Sequence, residues 1–506
     1  MPLPRRAVLA GSAALPFLRI PARAARSPGT LTFGLSSYPP NLHPWINAGT
    51  AAGTVAVLHY RGLLSYGPDG NLQPELALHW DRDGESGWIF KLREAVFHNG
   101  KPVTSADVKW SFEQIAAPTS SAYLRSQFQG IQSIETPDAQ TVRVIMKEPV
   151  VTLPEWLATF YVPIVAAGTG GGDELPVGCG PFVLKSYERG VRLETTAFDK
   201  YYKPGLPKLK TIRLIAYPDE NLRVAALQAG DVDLIEYVPW QSMGAIETNP
   251  KLKMQGTLGP FMYLTFNARF GPFKDPRVRQ AVAFAIHRDD IVKTAFFGRG
   301  APLNGMPLPK GTAFYEPSLA DAWSYDPDRA KKLLADAGMA NGFTCTLLST
   351  AQYGMHKMTA EVVQQDLAAV GIQVQLNLPD WPARITLGNR GQYELAVMGT
   401  ALDTNDPDSL STLIDGTLPP SYGRSFDLVV PGLHELFTAG RAEYDPTKRK
   451  AIYDKVQRLA IEQVPVVGLA WRSQAYAMAK DVDGFTNLPG ALTFYSGYTL
   501  ETTTFA

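Results

Sequence analysis

The run WDRDGESGWIFKLREAVFHNGKPVTSADVKWSF, residues 80–112, leaves little freedom in how it can fold. Trp88-Ile89-Phe90-Lys91-Leu92 has the aromatic and β-branched pattern of a strand, and Ala95-Val96-Phe97 predicts a second, shorter one. Asn99-Gly100 predicts a tight turn, because both residues tolerate positive φ. Thr104 or Ser105 offers a hydroxyl to cap a following helix, and Asp107 suits the positive end of its dipole. Val108, Phe112 and Ile115 then recur at helical spacing.

At 506 residues the chain exceeds what one core normally holds, so two or three lobes are expected. Its 48 basic and 48 acidic residues balance, which argues against a nucleic-acid surface or a polybasic membrane patch. The first 24 residues read as an export signal: Arg5-Arg6, an apolar stretch from Ala7 to Phe17, and Ala22-Arg23-Ala24 as a cleavage site. The paired arginines suggest the Tat route. Cleavage would remove four arginines and no acid, leaving a net charge of −4. No Cys follows the apolar stretch to carry a lipid, and no other segment is long and apolar enough to span a membrane. An exported, periplasmic protein, expected to be monomeric, is the reading. Cys179 and Cys345 are expected to be buried thiols, since a bond between lobes would oppose their opening.

Along the chain, Thr30–Leu35 predicts a first strand, followed by a proline-punctuated loop from Tyr38 to Pro44. Residues 168–174, GTGGGDE, lack the Lys-Ser or Lys-Thr of a phosphate loop and read as a connection. A helix is expected from Asp219 to Ala229, stopping at Gly230, with a strand over Val232–Glu236. Asp275-Pro276, Asp326-Pro327 and Asp445-Pro446 each place a capping carboxylate before a proline at the first helical position. Another helix is expected from about Lys357 to Val370, with Gly371 leading into the strand Ile372–Leu376. Such helix–glycine–strand units build α/β lobes with a partly parallel sheet.

The sequence holds no G-x-S-x-G elbow, S-x-x-K, H-E-x-x-H or Walker lysine. Its seven histidines, at 43, 59, 79, 98, 287, 356 and 434, do not pair at metal-binding spacing. No metal, cofactor or catalytic set is expected, although triads assembled in space escape such a search. The densest polar cluster is Asp403-Thr404-Asn405-Asp406-Pro407-Asp408. Asp406 precedes a proline and is expected to cap a helix, with Asp408 in its first turn. Asp403 has no such local role. It follows the apolar strand Leu395–Met398 at its C-terminal end, where open α/β sheets place ligands.

Several of these segments together resemble the extracytoplasmic solute-binding proteins, family 5, of peptide and nickel ABC transporters. Trp88, Phe90, Leu92, Arg93, Phe97, Asn99, Gly100, Pro102, Thr104, Asp107 and Val108 match that family's W-x-F-x-L-R and F-x-(D/N)-G-x-P-(V/L)-T-A-x-D-V signature. Gly178-Cys179-Gly180-Pro181-Phe182, residues 263–292 and residues 325–338 are similar to later family segments. The resemblance implies an α/β fold of the periplasmic binding protein-like class II: two α/β lobes with a hinge, plus an inserted lobe. Lobe I would comprise residues 26–58, 175–265 and 472–506, lobe II residues 59–174, and lobe III residues 266–471. Strands near Tyr263–Asn267 and Val466–Trp471 would cross between lobes. It also implies no enzyme activity and no cofactor. A peptide would be captured by hinge closure and handed to a membrane permease.

By the same likeness Asp403 would pair with a peptide's ammonium group. Trp381, 22 residues earlier, would pack on ligand side chains. Where oligopeptide-binding relatives often carry a second tryptophan, this chain has Thr400. Lys357 falls near a cation that dipeptide-binding relatives use for the ligand carboxylate, and Tyr38 and Asn41 would line the cleft from lobe I. An opine, a glycoside, or a nickel or haem complex stays open as the solute, and a secreted hydrolase stays open as another class.

Overall fold

The computed structural model describes residues 27–45, 49–170 and 174–506. The expected export segment lies outside the described residues, as does part of the glycine-rich connection at 168–174.

The signature run folds around the strand Gly87–Leu92, which is the second strand of a four-stranded antiparallel sheet. It pairs with Ala77–Asp83 on one side and Thr141–Met146 on the other, with Ile131–Asp138 at the far edge. Alternation along Gly87–Leu92 sends Trp88, Phe90 and Leu92 into the core and leaves Lys91 outside. The expected strand at Ala95–Phe97 is instead a single bridge between Val96 and Pro102. The turn is too tight for a ladder: Phe97 N–H already donates to Lys101 O at 2.8 Å, Gly100 takes φ +83°, and Pro102 has no N–H to extend the pairing. The helix Ser105–Ala116 follows. Asp107 Oδ2 accepts from both the Thr104 N–H (2.9 Å) and Oγ1 (2.7 Å), while Oδ1 accepts from Ala167 N–H at 2.9 Å. One carboxylate thus caps the helix and ties it to a distant segment.

The main sheet has eleven strands. From one edge they run Ile372–Asn377, Phe343–Leu348, Leu395–Thr400, Leu252–Phe266, Val466–Ala479, Leu234–Ile235, Thr30–Leu35, Thr211–Ala216, Arg192–Ala197 and Phe182–Glu188. Gly300–Pro302 pairs separately with Val466–Ala479. Each side of the sheet contains parallel pairs: Phe343–Leu348 with both of its neighbours, and Thr30–Leu35 with both of its own. Between these blocks the two long strands, Leu252–Phe266 and Val466–Ala479, lie antiparallel and belong to both. Their ladder breaks between Leu258 and Phe261 and shifts again at Met262–Tyr263. Gly259 sits in the first break, so close to another chain segment that a Cβ would come within 2.0 Å of Gly490 O.

The aspartate–proline signals all start helices. Asp275, Asp326 and Asp445 each accept from a backbone N–H of the first turn, ahead of Pro276–Ala285, Pro327–Asp336 and Pro446–Gln463. Asp219 caps Glu220–Ala229, which ends at Gly230 with φ +81°. Three large buried clusters form. The first draws chiefly on residues 224–477, the second on 45–179 with 488–498, and the third on 31–58, 182–234 and 476–505. Cys179 and Cys345 are free and buried. Among the described residues no helix is long and apolar enough to cross a membrane.

Candidate functional site

A cavity of about 730 Å³ opens where the clusters meet. One wall is built by Ser36, Ser37 and the helix start Gly49–Ala51, with Tyr237 and Trp240. Another is built by Tyr353–His356, Trp381, Gly399–Asp403 and Tyr422. Tyr123, Phe160 and Tyr161 reach in from the second cluster's segment; Arg472, Phe494 and Tyr495 also line the space, as do the charged Glu220 and Arg223.

Asp403 lies just past the strand Leu395–Thr400 and faces this space. Tyr123 Oη donates to its Oδ1 at 3.0 Å, and Tyr495 Oη donates to its backbone carbonyl at 2.9 Å. Tyr123 in turn stacks on Tyr161, centroids 4.2 Å apart. The carboxylate belongs to a residue that is only partly exposed. Desolvation pushes it up to about 6, against the opposing hydrogen bond from Tyr123. Its neighbours are already engaged. Asp406 caps Asp408 N–H at 2.8 Å and takes a two-pronged pair from Arg449, both contacts 2.7 Å. Asp408 is buried against Arg441 at 2.8 Å.

Trp381 opens the helix Trp381–Asn389, its N–H donating to Gln352 Oε1 at 3.0 Å. Its ring stands edge-on to Tyr353 (5.4 Å) and is backed by the buried Arg384 guanidinium at 4.9 Å. Arg384 Nη2 donates to Val397 O at 2.6 Å, which fixes the support. Thr400 lines the same wall, its hydroxyl turned to Ala401 O at 3.1 Å. The structure therefore brings Asp403, Trp381 and Thr400 to one cavity.

Lys357, Tyr38 and Asn41 are not among its lining residues. Successive helical residues are turned by about 100°, so Lys357 points outward to Glu361 at 3.8 Å while His356 faces in. The cavity takes Ser36 and Ser37 directly after the strand Thr30–Leu35; beyond them the loop turns away. Tyr38 packs on the third cluster. Asn41 accepts from His43 N–H at 3.0 Å and borders a separate small void with Leu42 and His59.

Sequence reasoning missed Arg472, His356 and the tyrosine wall. Arg472 is 3% exposed. Its Nη1 donates to Met355 Sδ at 3.2 Å and its Nη2 to Tyr237 Oη at 3.4 Å, and its Nε has no partner. His356 is 2% exposed, with Nδ1 unpartnered. Burial beside Arg384 and Arg472 holds its imidazole well below the usual histidine range, hence neutral. One signal was present: a lone arginine after the apolar run Val466–Trp471.

The profile of the bacterial extracellular solute-binding proteins, family 5 (middle), matches residues 71–421. The chain belongs to this family. Its backbone superposes with a TM-score of 0.87 on the periplasmic binding protein AgaA of A. tumefaciens R10, solved with agropinic acid; identity is 41%, covering 94% of this chain and 99% of that one. The glutathione-binding protein GsiB of Pectobacterium atrosepticum is 29% identical over 470 residues, covering 89% of this chain and 90% of that protein. A dipeptide-binding protein of Pseudoalteromonas sp. SM9913, solved with Met-Leu, shares the fold at 22% identity and a TM-score of 0.81, covering 94% and 100%. The mixed α/β architecture of this solute-binding protein is thus that of the periplasmic binding proteins of family 5.

Proposed function

We propose that the chain is the extracytoplasmic solute-binding component of an ABC importer, and that its solute is an opine-type acid, in which an amino-acid part is joined to a second polar part. The observation that carries the solute class is the likeness to the agropinic acid-binding AgaA, 41% identical along 94% of this chain. The site supports it. Asp403, the candidate receptor for a peptide ammonium, already receives a hydroxyl from Tyr123. The aromatic second wall position of oligopeptide-binding relatives is occupied here by Thr400. Stacked tyrosines and a tryptophan offer flat faces to an apolar sugar or lactam face, with hydroxyls at their rims.

Residues 26–58, 175–265 and 472–506 would move as one body and residues 266–471 as another, with 59–174 carried on the first. Closure follows because only the closed form lets solute touch both walls at once. A permease in the membrane would accept the loaded form, and the chain itself would do no chemistry. A peptide is the second reading, favoured by Asp403 at the strand's C-terminal end.

Native mass spectrometry of the exported full-length protein, before and after mild denaturation, tests this reading. Release of an intact opine-type acid is expected. A released series of peptides would replace the solute class, and sustained turnover of an added peptide or glycoside would replace the binding role altogether.

A further inference from the structure

Buried guanidinium groups among the described residues generally reach a carboxylate or a carbonyl; even Arg384, whose Nε is also unpartnered, donates to Val397 O. Arg61 faces Glu75 and Glu501, and Arg223, also in the cavity wall, spends its nitrogens on the carbonyls of Tyr217, Glu236 and Tyr237. Arg472 is different. Its acceptors are a thioether at 3.2 Å and a phenol at 3.4 Å, both weak, and its Nε has none. No carboxylate lies within ion-pair distance of it among the described residues. A charge buried to this degree without a counter-charge is costly unless something supplies one.

A helix end beside it adds further donors. Met355, which Arg472 touches, is the second residue of the helix Gly354–Ala368. That helix is fifteen residues long, its N-cap Tyr353 makes no side-chain hydrogen bond to the first turn, and the first turn holds no acid. Its positive end therefore opens toward the cavity that Gly354, Met355 and His356 line. The unpartnered Nδ1 of His356 belongs to the same corner. Guanidinium and helix end together form a set of donors lacking an acceptor, with a neutral imidazole beside them.

We propose that Arg472, at the uncapped N-terminus of helix Gly354–Ala368, seats a carboxylate of the solute, with the His356 imidazole beside it. This rests on reading the cavity as the solute site. The guanidinium fork matches a carboxylate's two oxygens, and Nε together with an Nη gives the two parallel bonds. Arg472 also stands on Val466–Ala479, touching Tyr237 on one wall and Met355 on the other. A carboxylate there is gripped where the two walls meet, so its charge favours the closed arrangement. Solutes lacking an anion would be excluded, because they would leave the guanidinium buried and unpaired.

Acetate serves as the probe, with acetamide as its uncharged counterpart at matched ionic strength, read by thermal unfolding of the full chain. Acetate is expected to raise the unfolding midpoint saturably, and acetamide is not. Arg472→Gln should abolish the acetate response, and Arg472→Lys should retain part of it. Agropinic acid, titrated in parallel, should bind at least about tenfold more tightly than its carboxamide. Equal responses to acetate and acetamide, or an acetate response retained in Arg472→Gln, would overturn the assignment. The wild-type comparison of acetate with acetamide decides the matter even if the variants do not fold. The proposed solute class fails separately: if acetate behaves as expected but agropinic acid does not bind, the anion seat stands and the opine reading falls. If agropinic acid binds wild type and Arg472→Gln alike, the opine reading stands and the seat falls.

Discussion

Asp403 is held in a form that costs the empty protein stability. Its carboxyl is raised to about 6 from an ordinary value of 3.8 by desolvation, and Tyr123 supplies the hydrogen bond that limits the rise. Because the folded value lies above the unfolded one, the unfolded chain gives up its proton first as pH rises. The contribution of Asp403 is therefore lost between about pH 4 and 6 and stays lost at neutral pH. Asp403→Asn is expected to make the solute-free protein about 1–3 kcal/mol more stable at pH 7 than wild type, with no gain at pH 3. Urea unfolding of both forms at the two pH values checks this. The same substitution should weaken binding of any solute that presents an ammonium by about 2–5 kcal/mol. Residues that destabilise the empty state while facing a cavity are those whose cost a solute can offset. Asp403 and Arg472 are such a pair, one a carboxylate whose ionised form burial disfavours and the other a cation without its counter-ion.

Among the elements, the two long strands set the geometry. Leu252–Phe266 and Val466–Ala479 lie between the two parallel blocks and pair antiparallel with each, and their ladder breaks at Gly259-Pro260. Proline there cannot donate to the ladder, and glycine admits the backbone of Gly490, which leads into the segment carrying Phe494 and Tyr495 to the cavity. Gly259→Ala should cost about 1–3 kcal/mol in chemical denaturation, since a Cβ would meet carbonyl and carbon atoms of Gly490 at 2.0 and 2.2 Å. Gly244→Ala, in a short helix with only Arg299 near its Cβ at 3.9 Å, is the control and should be neutral or stabilising. The elements were the most legible part of the sequence, because capping and turn chemistry are local: Asp219, Asp275, Asp326 and Asp445 announce their helices within four residues. Ala95–Phe97 misled because its β-type composition says nothing of how tight the next turn is. The site was legible only in part. Asp403 showed itself by having no local partner to explain it. Arg472 was marked only as a lone arginine after an apolar run, and the Tyr123–Tyr161 stack not at all, because their meaning depends on distant segments meeting at one cavity.

At the scale of the molecule, the second and third clusters are tied together by buried ion pairs. Arg61 and Lys203 both reach Glu75 and Glu501, joining the start of the second cluster's segment to residue 203 and to the chain's last turn. Lys203 holds Glu75, with Arg61 next, down to about 2 despite its burial, so this joint stays charged across the physiological range. Toward the segment that carries Trp381 and Asp403 the contacts include the Tyr123 hydroxyl across the cavity, Val151 N–H donating to Arg441 O at 2.8 Å, and Arg82 over the Tyr444 ring. A buried ion-pair joint on one side, with hydrogen bonds and ring contacts on the other, suits a cleft that opens to admit solute. The solute proposed for this cavity is an opine-type acid. Calorimetric titration of agropinic acid into the full chain tests it most directly. One solute per chain at a dissociation constant of about 1 μM or below is expected. No heat from agropinic acid, with saturable heat from Met-Leu under the same conditions, would contradict it.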